Sequence, residues 1–160
     1  MKVYLDPASV KDVIYQEIDK LIIETKKSVN NVQTFAIGEV WKILQLLIVV
    51  VIRLIENLGT DLSSPDKKQL AMDLISGFYD KVFIYIDIPW VPSVVEPVIH
   101  NHLKAFLMIL VSSGIDAMVA TFRQVGVLQT KTVVTLQSDL FSNEKIISNF
   151  INDLKKIVRI

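Results

Sequence analysis

Residues 88–126 read IPWVPSVVEPVIHNHLKAFLMILVSSGIDAMVATFRQVG, and no other part of the chain constrains the architecture as strongly. Pro89 and Pro92 fix their own φ angles and bias the residues before them toward extended backbone. A helix therefore cannot run through the Ile88–Pro92 corner. Beyond Pro97 the only glycine before Gly126 is Gly114, and Gly126 stands where a C-terminal cap belongs. Val98, Ile99, Leu103, Phe106, Leu107, Leu110, Val111, Ile115, Met118, Val119 and Phe122 recur every three or four places. Ala105, Met108, Ile109, Ala117 and Ala120 fill the gaps, so the predicted helix is apolar nearly all round. Such a helix is either the central member of a bundle or a membrane span.

Length and charge separate those two readings. A span needs roughly 20 mostly apolar residues. The uninterrupted run Ala105–Ile115 lies between Lys104 and Asp116, and a second run, Ile43–Ile52, lies between Lys42 and Arg53 and carries Gln45. Both have the length of buried core helices. Lys104 or Arg53 can snorkel from near an interface, whereas an acid such as Asp116 at mid-membrane costs about 2.5–3.5 kcal/mol. The expectation is a protein-covered bundle, with a membrane-associated chain as the alternative.

Composition points the same way. The chain has 160 residues, which suits one helical domain over 1–160 with a substantial core. Its mean hydropathy of +0.45 is high for a soluble monomer, so some apolar surface is expected to face another chain or lipid. Lys plus Arg and Asp plus Glu number 17 each, and this balance provides no basic excess for a phosphate backbone. Nucleic-acid binding is not expected. There is no cysteine, hence no disulfide framework or thiolate metal site. The start Met1-Lys2-Val3-Tyr4-Leu5-Asp6 has no apolar h-region, so a signal peptide is not expected.

The rest of the chain reads as helices. Asp6-Pro7 is a start signal, an acidic N-cap with proline at the first helical position. Val10, Ile14, Ile18, Leu21, Ile22, Val29 and Val32 then mark one face, with Lys11, Asp12, Glu17, Asp19, Lys20 and Glu24 on the wet side. No proline separates Pro7 from Leu58, so 7–58 is either one long helix or two with a joint near Asn30–Thr34; ordinary helix lengths favour two. The run Leu46–Ile52 is β-branched and would serve as a buried strand. Its flanks decide for helix, because Glu39, Lys42, Gln45, Arg53 and Glu56 fall on one stripe and Gly59 follows as a cap. Ser64-Pro65-Asp66 repeats the start signal, and Leu70, Leu74, Ile75, Phe78 and Val82 form the next apolar face.

Two stretches lean toward strand, 82–88 and 127–136, and a minor β pairing between them is left open beside extended packing into the proline corner. A last helix is predicted from a Ser142 cap, with Ile146, Ile147, Phe150, Ile151, Leu154, Ile157 and Val158 as its stripe and Lys155, Lys156 and Arg159 at its end. The fold class is thus an all-α bundle of about five helices, one or two of them long.

Chemistry is sparse. No phosphate-binding glycine loop, G-x-G-x-x-G or cysteine cluster occurs. His100 and His102 are the only histidines; two apart on a helix, they diverge by about 200° and cannot share a metal, so both are expected to face water or a loop. No catalytic residue, metal ligand or cofactor-binding residue is assigned. Asp116, on an otherwise apolar helix, is expected to be a buried carboxylate needing a partner, with Arg53 as the favoured one and Lys104 as the other. Small residues at Ser113, Ala117, Ala120 and Thr121 form a flat stripe suited to close approach by another helix. Trp41, Ile48, Val51, Trp90, Ser113, Ala117 and Ala120 are the candidate interface.

The segment 64–126 carries Lys67-Lys68-Gln69-Leu70-Ala71, the corner Asp87-Ile88-Pro89-Trp90-Val91-Pro92 with Glu96, and Ile115-Asp116-Ala117-Met118-Val119. With these residues it resembles small helical proteins of bacteriophages and prophages, some of them holin-like. The resemblance implies a phage origin and a non-enzymatic role and transfers no functional residue. The expected function is a structural or assembly protein that binds further protein chains, as a homo-oligomer or with others, in the cytoplasm or a virion. A membrane-associated holin-like protein is the alternative. A helical carrier or enzyme with an apolar pocket is the third class, which a closed cavity beside Asp116 would favour.

Overall fold

The computed structural model describes residues 7–29, 37–58, 62–84, 91–124 and 136–158. They form five helices, α1 (Pro7–Val29), α2 (Ile37–Leu58), α3 (Ser64–Val82), α4 (Glu96–Gln124) and α5 (Leu136–Val158), and no strand occurs among the described residues. The all-α bundle is the expected one, and 7–58 is two helices. Of the stretches that leaned toward strand, Val82 ends α3, Phe83 and Ile84 form a turn, and Leu136 begins α5. At the described ends of 82–88 and 127–136 the backbone is therefore helix or turn. Residues 85–88 and 127–135 lie outside the described residues, as do the Asn30–Thr34 joint, Trp90 and the caps at Asp6, Gly59 and Gly126.

The apolar stripe of α1 buries Ile14, Ile18, Leu21, Ile22 and Val29 as its spacing demands. Thr25 is buried on the same helix, where its hydroxyl donates to the Leu21 carbonyl oxygen at 2.7 Å and so leaves no polar atom unsatisfied. Ser63, one residue before the predicted cap, is the true N-cap of α3: its Oγ accepts from the Asp66 N–H at 3.2 Å and donates to Asp66 Oδ2 at 2.7 Å. Proline in the first turn and an acid facing the helix dipole complete the start signal. At the other end of α3 the Phe83 N–H donates to the Tyr79 carbonyl oxygen, and the rings of Phe78, Tyr79 and Phe83 close the core. The last helix starts at Leu136, six residues before the predicted Ser142 cap, since neither proline nor glycine interrupts 136–142. Its stripe buries Ile146, Phe150 and Leu154.

The centre of the bundle is α2, not α4. Among the described residues α2 touches all four other helices, while α4 touches only α2 and α3. Confining Lys42, Gln45, Arg53 and Glu56 to one stripe leaves the rest of the α2 circumference free to be buried, and Ile43, Leu44, Leu47, Ile48, Val51, Leu54 and Ile55 all are. The neighbours around α2 run in the order α4, α3, α1, α5, since α3 meets both α4 and α1 and α1 meets α5. Among the described residues α4 and α5 do not touch, so the ring is open between them. The partly exposed side of α2, with Lys42, Gln45, Val49 and Arg53, is the side this ring leaves uncovered.

Candidate interaction face on helix α4

Two ion pairs set α4 against α3. Lys68 Nζ donates to Asp116 Oδ2 at 2.6 Å, and Lys104 Nζ donates to both Asp80 oxygens at 2.8 and 2.7 Å. Lys68 and Asp80 are twelve residues apart on α3, as Lys104 and Asp116 are on α4, so the helices are antiparallel and matched rung for rung. Between the end of α3 and the start of α4, Tyr79 Oη lies 3.2 Å from Nδ1 of the buried His100, with the rings edge-on. Burial, with the Asp80 carboxylate adding to it, pushes the Tyr79 phenol up to about 12. The phenol therefore keeps its proton, and the direction of its hydrogen bond with Nδ1 follows the His100 tautomer. Along α2 the fit is close: a Cβ at Gly114 would lie 3.6 Å from Ile48 Cδ1.

These contacts fix which way α4 faces. Leu107, Val111 and Ile115 are buried against α2 and α3. On the opposite side Val98, Phe106 and Ile109 are exposed, at 56%, 57% and 67% of their surface, and Ser113, Ala117 and Ala120 continue that side. Eight large apolar residues are exposed among the described ones; Tyr15 and Ile23 are on α1, and the other six, Val94, Val95, Val98, Ile99, Phe106 and Ile109, lie on or just before α4. Scattered apolar exposure is ordinary, but one continuous apolar strip is the mark of an interaction surface.

The sequence-predicted residues divide accordingly. Ser113, Ala117 and Ala120 do lie on the exposed face. Ile48 and Val51 do not, because α2 is wrapped by this chain's own helices and both are fully buried. Trp41 is half-buried against the core, and Trp90 lies outside the described residues. Asp116 is not a buried carboxylate and does not meet Arg53: it follows the inward-facing Ile115 by one residue, about 100° round the helix, which brings it to the edge facing α3. Its side chain is 64% exposed, so neither a buried partner nor Arg53 is needed. Lys104 is likewise taken by Asp80. His102 is exposed as expected, whereas His100 is buried on Tyr79 rather than facing water. Signals for that pair existed in part, since Tyr79 and His100 both sit one turn from positions already predicted to be apolar.

Beside Asp116 there is a groove of about 510 Å³ with an apolar floor of Ile52, Ile55, Ile115 and Val119. Its rim holds Lys67 and Lys68, tied to Glu56 and Asp116. Rim residues Pro65 and Arg123 are exposed, so this is an open groove and not the closed cavity that would favour a carrier. Among the described residues no group of His, Asp and Glu is placed to hold a metal ion. Comparison with protein-family models, curated proteins and solved structures gave no match to this chain.

Proposed function

We propose that this chain is an assembly protein, without catalytic chemistry, whose outer α4 face is covered by another protein chain. The observation that carries the reading is the concentration of exposed bulky apolar residues along one side of α4 while the apolar sides of α2 are buried. A phage or virus structural component is the setting implied by the resemblance of 64–126.

The membrane reading has one observation in its favour. By length and composition α4 is the one described helix able to cross a bilayer, and 17% of its most apolar window is buried. Its neighbour argues against it. Helix α3 lies along α4, tied at both rungs, and exposes Gln69, Asp73 and Lys81. A spanning α4 would carry those residues, with Lys68 and Asp80, into hydrocarbon at about 2.5–3.5 kcal/mol per charge. A protein partner can cover the outer face and leave α3 in water.

The test compares the native chain with Ile109→Glu by sedimentation without detergent and by flotation with neutral and anionic vesicles. Assembly of the native chain, reduced to single chains by the substitution, supports the proposal. Flotation with vesicles that the substitution abolishes overturns it, and so does a native chain that sediments singly.

A further inference from the structure

We infer that the partner on α4 is a second copy of this chain, packed with its α4 antiparallel across a two-fold axis level with Val111; this rests on the assembly reading above. The outer stripe runs Val95, Ile99, His102, Phe106, Ile109, Ser113, Ala117, Ala120, Gln124 at spacings of four and three, a seam of the kind by which two helices pack. Its residues are exposed, and the seam points away from the buried line Leu107, Val111, Ile115.

The seam is graded in size. Its first half carries Val95, Ile99, Phe106 and Ile109, and its second half Ser113, Ala117 and Ala120. With the axis level with Val111, Ile109 of one copy lies level with Ser113 of the other and His102 with Ala120, while Phe106 is level with Asp116 and about 1.5 Å in height from Ala117. Ile109 and Phe106 then enter the space left by small residues, and the small residues let the backbones approach. Parallel pairing would stack Phe106 on itself and Ala117 on itself, propping the helices apart at one end and leaving a void at the other. Only the antiparallel arrangement makes the face complementary to itself, which is the requirement of an isologous two-fold contact.

Charge and area select the same occupant. The nine seam positions contain no Asp, Glu, Lys or Arg, with the exposed Asp116 and Arg123 at their border, and the chain's formal net charge is zero. A charged partner surface would lose hydration there with no counter-charge in return, whereas a second copy presents an equally uncharged strip. The stretch the two copies share, 98–124, is about 40 Å long and about 11 Å wide and covers roughly 450 Å² per copy, or roughly 900 Å² in all, close to where specific interfaces begin.

The chain has no cysteine, so introduced thiols report contacts cleanly. His102→Cys and Ala120→Cys, both at exposed positions and checked for native helix content by circular dichroism, are oxidised alone and mixed. The mixture is expected to give covalent dimer at least about tenfold faster than either variant alone, because only the 102–120 pair is held at high effective concentration. A spin label at 102 is expected to report a label-to-label separation of about 27 Å along the axis. Rapid self-linking of His102→Cys means a parallel pair and overturns the inference while leaving the assembly reading intact. An assembled native mass with no cross-link in any combination also overturns the inference alone. A native chain that is single in solution overturns both.

Discussion

Lys68 and Asp116 form, at 2.6 Å, the lower rung of the α3–α4 ladder whose upper rung is Asp80 with Lys104. Both lower-rung side chains are substantially solvated, at 37% and 64% exposed, so the pair sets alignment more than it adds stability. Asp116→Asn is expected to cost no more than about 1 kcal/mol in denaturant unfolding, and the cost is expected to shrink as salt rises. A loss of several kcal/mol would mean the carboxylate is far less solvated than described.

Burial separates α2 from the outer face of α4. Ile48 is fully buried at the centre of the bundle, and Ile48→Ala is expected to destabilise by about 2–5 kcal/mol through the cavity it leaves. Ile109→Ala, on the exposed face, is expected to change the unfolding free energy of the single chain by no more than about 0.5 kcal/mol while weakening assembly. Urea unfolding at low protein concentration, paired with sedimentation at high concentration, measures both.

Gly114 sits mid-helix opposite Ile48. A methyl there would meet Ile48 Cδ1 at 3.6 Å, an ordinary van der Waals distance, so Gly114→Ala creates no clash. Alanine also removes the helix penalty of glycine, and the variant is expected to gain about 0.5–1 kcal/mol, read as a higher denaturant midpoint with unchanged slope.

Alkaline pH acts through Tyr79. Its folded pKa is pushed up to about 12 by burial and by Asp80, while the unfolded phenol titrates near 10. Below pH 10 both states hold the proton and this contribution is fully present. Between about pH 10 and 12 the unfolded chain releases its proton first, so stability falls with rising pH, by on the order of 2 kcal/mol across the window. Tyr79→Phe is expected to flatten that slope. Unfolding midpoints at stepped alkaline pH check it, and an equal slope in the variant would contradict it.

The sequence was legible where a helix has one wet side. The stripes of α1, α3 and α5 name their buried residues directly, and the polar stripe of α2 showed that its β-branched run is helical. Helix α4 was legible as a helix but not in its orientation, because apolar residues surround it and periodicity then marks no preferred face. That ambiguity made α4 look central and left Ile48 and Val51 as interface residues, when α2 is the helix enclosed. The ion pairs were out of reach for a different reason: Lys68 and Asp116 are 48 positions apart, and only the antiparallel register of α3 and α4 joins them. The start of α5 was misread because threonines and valines before it favour strand, a preference that neighbouring structure overrides.

A protein-covered outer face of α4 shows itself in the mass of the native chain in solution. Light scattering of the purified native chain in detergent-free buffer, over a dilution series, tests it most directly. The expected mass is an even multiple of 18.1 kDa at high concentration and falls toward 18.1 kDa on dilution or with Ile109→Glu. A constant 18.1 kDa at every concentration, with Phe106 and Ile109 left in water, would contradict it.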